Sequence, residues 1–439
     1  MAGAVPETHR NLGLYLWAVA AGLAAGLFAA AFEQALSLAT RFRAGFEELG
    51  PFLHGVPFSM LCSALLAAAS VWLVLRFDPD CAGSGIPQVE AALSRGRAFS
   101  WPRTLLVKLA SGALAIAGGL TLGREGPTVQ MGAAAGRALA GGRGLDSERA
   151  RVLLAAGAGA GLAAAFHAPI AGTVFVLEEL KVLRSLRHAV AALLAAAAAD
   201  GVCRWLVHPA PLLGQADLAQ PPLYALAFFL VAGAAAGVLA SVFNRSLLSS
   251  LDAFARLTGA SVRRKVLLGA AVGALVGFVG GFEPGWLGSG ESLVSRSLQA
   301  TPAASAAAAV LAARFGMTLA SYSSGAAGGL FAPLLVLGCE AGLLMSHGAS
   351  ALFPGAGLDP AAVAIVAMGA LFAGSVQAPL TGVLLMIEMT GAFRLLLPLL
   401  VASLAARFVA RSLKTRPIYE SLLERLLDPA RAPDGRVPA

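Results

Sequence analysis

The string Gly123-Arg124-Glu125-Gly126-Pro127 sets an ionisable carboxylate inside otherwise apolar sequence. Leu105 to Leu122 precedes it, apolar apart from Lys108 and a few small polar residues, and Thr128-Val129-Gln130-Met131-Gly132 follows. A carboxylate at bilayer depth is costly and is kept mainly where it faces a protein-lined ion path. Gly123 and Gly126 carry no Cβ, so backbone N–H groups nearby can approach something small, and Pro127 suits the first turn of a helix. The string reads as a helix N-terminus aimed at an anion, with Glu125 able to compete for the same place. A further helix start is Gly83-Ser84-Gly85-Ile86-Pro87. The Ser84 hydroxyl is a neutral donor that could bind an anion without a fixed charge, although taken alone the pentapeptide reads first as a plain turn before a helix. Near the C-terminus, Arg416-Pro417-Ile418-Tyr419 opens a short amphipathic helix. Tyr419 could donate its phenolic proton, or it could sit at headgroup level as an interfacial tyrosine.

The elements that must position these residues are helices in a membrane. Of 439 residues, 58% are hydrophobic and 13% charged, against roughly 25% charged in soluble domains. Apolar stretches fall near 11–39, 57–76, 104–122, 152–166, 189–206, 222–243, 266–282, 303–320, 328–346, 361–376, 378–389 and 394–410. Several approach the roughly 20 residues that span a bilayer. Others are short and broken by Gly or Pro, the pattern of re-entrant helices. The first stretch is too long for a cleavable signal peptide and contains Glu33. The net charge of +8 does not point to nucleic acid, because the basic residues sit in short loops. These are Arg95, Arg97 and Arg103; Lys181, Arg184 and Arg187; Arg263, Arg264 and Lys265; and Arg411, Lys414 and Arg416. The positive-inside rule places these loops, and both termini (Arg10 precedes the first span), in the cytoplasm. Cys62, Cys81, Cys203 and Cys339 are scattered and read as small apolar fillers. The six histidines form no metal-binding pattern, and His167 reads as a hydrogen-bonded packing residue. No metal or cofactor is expected.

Two distant segments match. At a separation of 210 residues, Ala168-Pro169 meets Ala378-Pro379, Gly172 meets Gly382, and Glu178 meets Glu388. At a separation of 206, Gly123, Pro127, Gly132 and Gly136 meet Gly329, Pro333, Gly338 and Gly342. Two matches in the same order, each including a proline, indicate duplication. Repeated halves in transporters often have inverted topology and meet at the bilayer midplane. The repeat sets Glu125 against Phe331, each at a helix start. Two N-termini converging from opposite sides, each worth roughly half a positive charge, would hold a halide without burying a full cation, so the ion could leave.

These motifs resemble those of the CLC family of chloride channels and chloride/proton exchangers, and the bacterial exchangers in particular. The family's pore signatures stand as G-S-G-I-P at 83–87, G-R-E-G-P at 123–127 and G-G-L-F-A-P at 328–333, with the terminal motif Pro417-Ile418-Tyr419. The resemblance runs from about residue 12 to 427. It implies an all-α polytopic membrane protein of two inverted-topology repeats of tilted and re-entrant helices. The halves would be about 12–206 and 222–411, with a C-terminal pore helix over 416–427; residues 1–427 would form one transmembrane domain, and 428–439 a short tail without a cytoplasmic regulatory domain. It further implies that the Ser84 and Tyr419 hydroxyls and the backbone amides of Leu330 and Phe331 coordinate a central chloride. Gly83, Gly85, Pro87, Gly123, Arg124, Gly126 and Pro127 would shape the helix starts. Glu125 would be the gating glutamate, occupying an anion site when ionised and swinging away when protonated. Glu179 would be the inner proton acceptor and Glu90 a buried supporting acid. Without the resemblance, Glu179 reads equally as a solvated residue pairing with Lys181 or Arg184. Desolvation and a neighbouring anion favour the neutral form of an acid at depth, and a helix N-terminus favours the charged form. One group that exchanges either a proton or a chloride couples the two flows in opposite directions.

Departures from the family pattern are Gln88, where bacterial exchangers carry an acid, and His167, where asparagine is common before Ala-Pro. Serine rather than proline at position 84 favours chloride over nitrate, and the intact G-R-E-G-P and Tyr419 argue against the fluoride-specific branch. The expected function is proton-coupled chloride antiport, with a passive chloride channel of the same fold as the rival; an acid at position 179 favours the exchanger. A membrane enzyme would need a nucleophile with a base or a metal centre, and no such constellation stands in the sequence. The resemblance also implies a homodimer in the cell inner membrane, one pore per subunit, with the interface on segments around 169–206 and 378–412.

Overall fold

In a bilayer each backbone N–H and C=O needs a partner within the protein, so a chain this apolar folds as helices. The computed structural model describes residues 7–47, 55–141, 147–181, 185–207, 213–214, 218, 220–353 and 357–428. Arg184 and residues 429–439 of the expected tail lie outside the described residues, as does the side chain of Arg10.

The first half comprises α1 (Glu7–Glu47), α2 (Val56–Phe77), α3 (Ile86–Arg95), α4 (Trp101–Ala117), α5 (Glu125–Leu139), α6 (Glu148–Phe166), α7 (Pro169–Glu178) and α8 (Leu186–Leu206). The second comprises α9 (Ala225–Thr258), α10 (Val262–Phe282), α11 (Glu291–Ala300), α12 (Ala304–Ser323), α13 (Phe331–Leu352), α14 (Pro360–Val376), α15 (Pro379–Thr390) and α16 (Leu396–Ser412). The halves correspond helix for helix, down to the 3₁₀ turns Pro79–Cys81 and Pro284–Trp286 that follow α2 and α10. The last helix, α17 (Ile418–Leu427), stands outside the repeat; it begins two residues after Arg416 because Pro417 is extended, with φ −52° and ψ 137°. Nine of the described helices are long and apolar enough to cross a membrane, whereas α7, α14 and α15 are apolar but short.

Small residues bring the helices together, as expected where lipid supplies no hydrophobic drive for helix association. Gly22 and Gly26 of α1 lie against the backbone of Ala195 and Ala199 of α8, and the repeat-equivalent Gly233 and Gly237 of α9 lie against Ala402 and Ala406 of α16. Gly132 and Gly136 of α5 meet α6 at Gly157 and Leu153; Gly338 and Gly342 of α13 meet α14 at Met368 and Ala364.

The symmetry is clearest where α7 and α15 run side by side. The Glu388 carboxylate, near the end of α15, accepts the N–H groups of Ile170 and Ala171 at 3.1 and 2.7 Å. The Glu178 carboxylate, at the end of α7, accepts those of Leu380 and Thr381 at 3.2 and 2.8 Å. Each acid satisfies the otherwise orphaned donors at the other helix's N-terminus. The residues that close α6 and α14, His167 and Gln377, correspond too: both are left-handed, with φ of 55° and 65°. His167 is a buried, hydrogen-bonded packing residue, its Nδ1 2.9 Å from an Asp200 oxygen.

Candidate functional site

The three glycine-flanked helix starts lie together, stitched by backbone. Gly83 N–H donates to Ala326 O at 3.1 Å, and Gly328 N–H to Gly83 O at 2.9 Å. Gly123 and Gly329 exchange a pair of hydrogen bonds at 2.8 and 2.7 Å. The first turns of α3, α5 and α13 are thereby fixed around one point, and Ser84, Glu125, Leu330 and Phe331 are each at most 1% exposed. Gly126 passes so close to Ser84 that a Cβ there would lie 2.7 Å from the serine hydroxyl. Gly85 makes the sharp entry into α3 with φ 90°, a conformation that other residues rarely adopt.

The fourth element arrives from the far end of the sequence. Helix α17 packs on α3 and α14, and its start is docked by Asn244 Nδ2, which donates to Arg416 O at 3.2 Å, and by Gln377 Nε2, which donates to Thr415 O at 2.7 Å. Tyr419 is thereby fully buried, with its ring stacked on Phe331 at a centroid distance of 6.2 Å and an interplanar angle of 25°. Its hydroxyl lies beside that of Ser84 yet has no hydrogen-bond partner of good geometry among the described residues. The Glu125 carboxylate folds back over Gly123 next to the Ala332 N–H, again without a full hydrogen bond to either oxygen among the described residues. Buried polar atoms are almost always partnered. A hydroxyl and backbone N–H groups at helix N-termini make a donor set suited to a small anion, and the acid reaches into that same set.

Glu179 caps the end of α7, its N–H bonded to Phe175 O at 2.9 Å, and is 7% exposed. The reading of Glu179 as a solvated surface residue does not hold. Glu90, Glu178, Lys181 and Glu420 lie within electrostatic reach of it. Glu90 is half-buried rather than fully buried, with one carboxylate oxygen screened and unpartnered. Glu179 borders a cavity of about 410 Å³ that Arg407, Arg411, Lys414 and Arg416 also line. Tyr419 lies within electrostatic reach of both Glu125 and Glu179. Arg124 does not face the helix starts; it pairs with Glu33 of α1 and, at 3.0 Å, with Glu291 of α11, and with them borders a second cavity of about 660 Å³.

Three positioning groups escaped the sequence reading. Lys108 of α4, fully buried, donates to Cys81 O at 3.0 Å and Gly83 O at 2.7 Å, clamping the Ser84 loop. Tyr322 of α12 accepts the Ser84 N–H at 3.4 Å. Arg314, the repeat counterpart of Lys108 and equally buried, donates to the carbonyls of Trp286, Gly288 and Ser289, each at 2.8 Å. The signal was present: Gly288-Ser289-Gly290 repeats Gly83-Ser84-Gly85 at a separation of 205 residues, and Arg314 follows Lys108 at 206.

Residues 64–411 match the family model for voltage-gated chloride channels. The H(+)/Cl(-) exchange transporter ClcA of Vibrio cholerae is 39% identical over 414 residues, covering 92% of this chain and 88% of the relative. ClcA of Salmonella arizonae is 37% identical over 428 residues, covering 96% and 90%. Among solved structures, a slow cyanobacterial Cl−/H+ antiporter superposes with a TM-score of 0.88 at 35% identity, covering 94% of this chain and 97% of the other. A eukaryotic CLC transporter, at 23% identity and a TM-score of 0.81, covering 94% of this chain and 74% of its own, shares the fold.

Proposed function

The chain belongs to the voltage-gated chloride channel family, and we propose that within it the protein is an antiporter that exchanges Cl− for H+ through a Glu-gated anion pathway. The observation that carries this reading is the Glu125 carboxylate lying over Gly123 beside the Ala332 N–H, inside the donor set that would receive the anion. Ser84, Tyr419 and the amides of Leu330 and Phe331 bind chloride as substrate. Ionised Glu125 excludes the anion from its place; protonated, it leaves and the anion enters. Glu179 passes protons between Glu125 and the cytoplasmic cavity. Each proton accepted by Glu125 thus permits an anion step, which ties the two flows in opposite directions. The passive channel is not favoured, because a buried acid stands at position 179 and the relatives above are named as exchange transporters.

The protein is a transporter rather than an enzyme, needs no cofactor, and works as a homodimer with one pore per subunit in the cell inner membrane, both termini cytoplasmic. Exposed apolar residues on the short and late helices, Ile170, Leu177, Leu380, Leu404 and Phe408, support an interface there. One transmembrane domain over 1–427 suffices for transport. The test is simultaneous recording of chloride and pH in proteoliposomes under a chloride gradient. Antiport gives proton movement opposed to chloride and sustained against a proton gradient; chloride flux with no proton movement would overturn the reading.

A further inference from the structure

A third cavity lies away from the pathway, where α1, α6 and α8 begin on one face of the molecule. Its volume is about 450 Å³, and it is lined by Gly13 and Leu14 of α1, Glu148, Arg149 and Val152 of α6, and Arg187 and His188 of α8. Two N-termini of long helices converge on it. Ser147 caps α6 by accepting the Ala150 N–H at 3.2 Å, and Ser185 caps α8 by accepting the His188 N–H at 3.4 Å. The positive end of each dipole therefore faces the cavity. Two arginines add full charges. Arg187 contacts Glu148 at 2.8 Å, and Arg149 sits 5.2 Å from the centroid of the Trp17 ring, its Nε buried and without a hydrogen-bond partner among the described residues. His188 is 6% exposed; its Nε2 lies 2.9 Å from Glu148, while Nδ1 has no partner among the described residues. Glu148 is the single acid among the described lining residues, against two arginines and two helix starts.

We propose that this cavity binds the phosphodiester headgroup of an anionic phospholipid. A phosphate oxygen is the acceptor that a guanidinium N–H and two helix starts share. The surroundings select a lipid over a free phosphate: Leu12, Leu16, Trp17 and Leu186 next to the cavity are 41–81% exposed and apolar, a surface for acyl chains. Trp17 is an aromatic of the kind that settles at headgroup depth. Basic pockets between membrane helices on the cytoplasmic side suit anionic headgroups. The leaflet follows from the orientation proposed above; the binding itself does not depend on the transport reading.

The test is native mass spectrometry of the delipidated full chain titrated with phosphatidylglycerol or phosphatidylcholine. The parent protein should retain phosphatidylglycerol in preference to phosphatidylcholine. R149Q/R187Q should weaken phosphatidylglycerol retention about 30-fold, from a contribution of about fivefold per arginine near the surface. R149K/R187K, which keeps both charges, should lose far less, and R264Q, on a different basic loop, nothing. Equal retention of the two lipids by the parent, or equal loss in R264Q and R149Q/R187Q, overturns the proposal. So does displacement of the lipid by millimolar glycerol 3-phosphate, which would mark a free-phosphate site. Size-exclusion profiles confirm folding, and chloride flux measured in parallel separates failure of this site from failure of the transport reading.

Discussion

Substitution of Gly126 by alanine acts on a tight contact between two of the helix starts. A methyl group there would lie 2.6 Å from the Ser84 carbonyl oxygen, 2.7 Å from its hydroxyl and 2.9 Å from its Cα, where ordinary contact begins at 3.4 Å. Ser84 would have to retreat by 0.5–0.8 Å. It has little freedom to do so, because the adjacent Gly83 carbonyl is held by Lys108 Nζ at 2.7 Å and by the Gly328 N–H at 2.9 Å. Overpacking of this kind costs about 1–3 kcal/mol. Borne by the anion site, that cost weakens chloride affinity roughly 5- to 150-fold, since 1.4 kcal/mol is a factor of ten. Calorimetric titration of the purified protein with chloride reads the affinity, and chloride release from liposomes reads the rate. Gly316→Ala is the control: an added Cβ meets nothing within 4 Å at this helical, exposed position, so binding stays unchanged and stability rises by up to about 1 kcal/mol. Chloride affinity of Gly126→Ala within twofold of the parent would refute the argument that Gly126 sets the position of Ser84.

Glu125→Ala should abolish proton movement while chloride still crosses, because the alternating carboxylate is gone; chloride-driven acid flux retained in liposomes would contradict this. Glu179→Gln should uncouple protons but leave Glu125 in place, and proton pumping at the wild-type ratio would show the inner role misassigned. Arg314→Met leaves three part-buried carbonyls without their donor, and at up to about 1–3 kcal/mol per unsatisfied group the midpoint of thermal unfolding should fall by several degrees. An unchanged midpoint would show that the second G-S-G loop does not depend on the guanidinium.

The legible parts of this molecule were those whose chemistry is local. A carboxylate between two glycines announces a helix start and an anion in five residues, and the structure brings Glu125, Ser84, Phe331 and Tyr419 together as those motifs imply. The repeat was visible because glycine and proline positions are constrained by backbone geometry in both halves. The repeat marked Lys108 and Arg314 as a matched pair, but what they and Tyr322 bind was not legible, because their partners are carbonyl or amide groups of the backbone, and every residue offers those. Only the topology decides which loop such a side chain reaches. Glu90 was expected to be buried and is half-buried, since its depth in the middle of α3 depends on how α17 packs against that helix. The partnership of Glu178 with Leu380 and Thr381 was likewise out of reach, although its alignment with Glu388 was in view: a matched pair of acids reveals a shared ancestry of position, not that each crosses to the opposite copy.

That crossing has a consequence for how such a fold can arise. Because Glu178 serves α15 and Glu388 serves α7 in the same way, neither short helix has its leading amides satisfied by its own half. A half-length chain on its own would leave that terminus open in lipid. Two copies inserted upside down to one another would close both with a single acid at a single position, as any self-complementary contact does. The interlock is thus a joint that twin polypeptides could already make, and tandem fusion would preserve it without inventing a new residue.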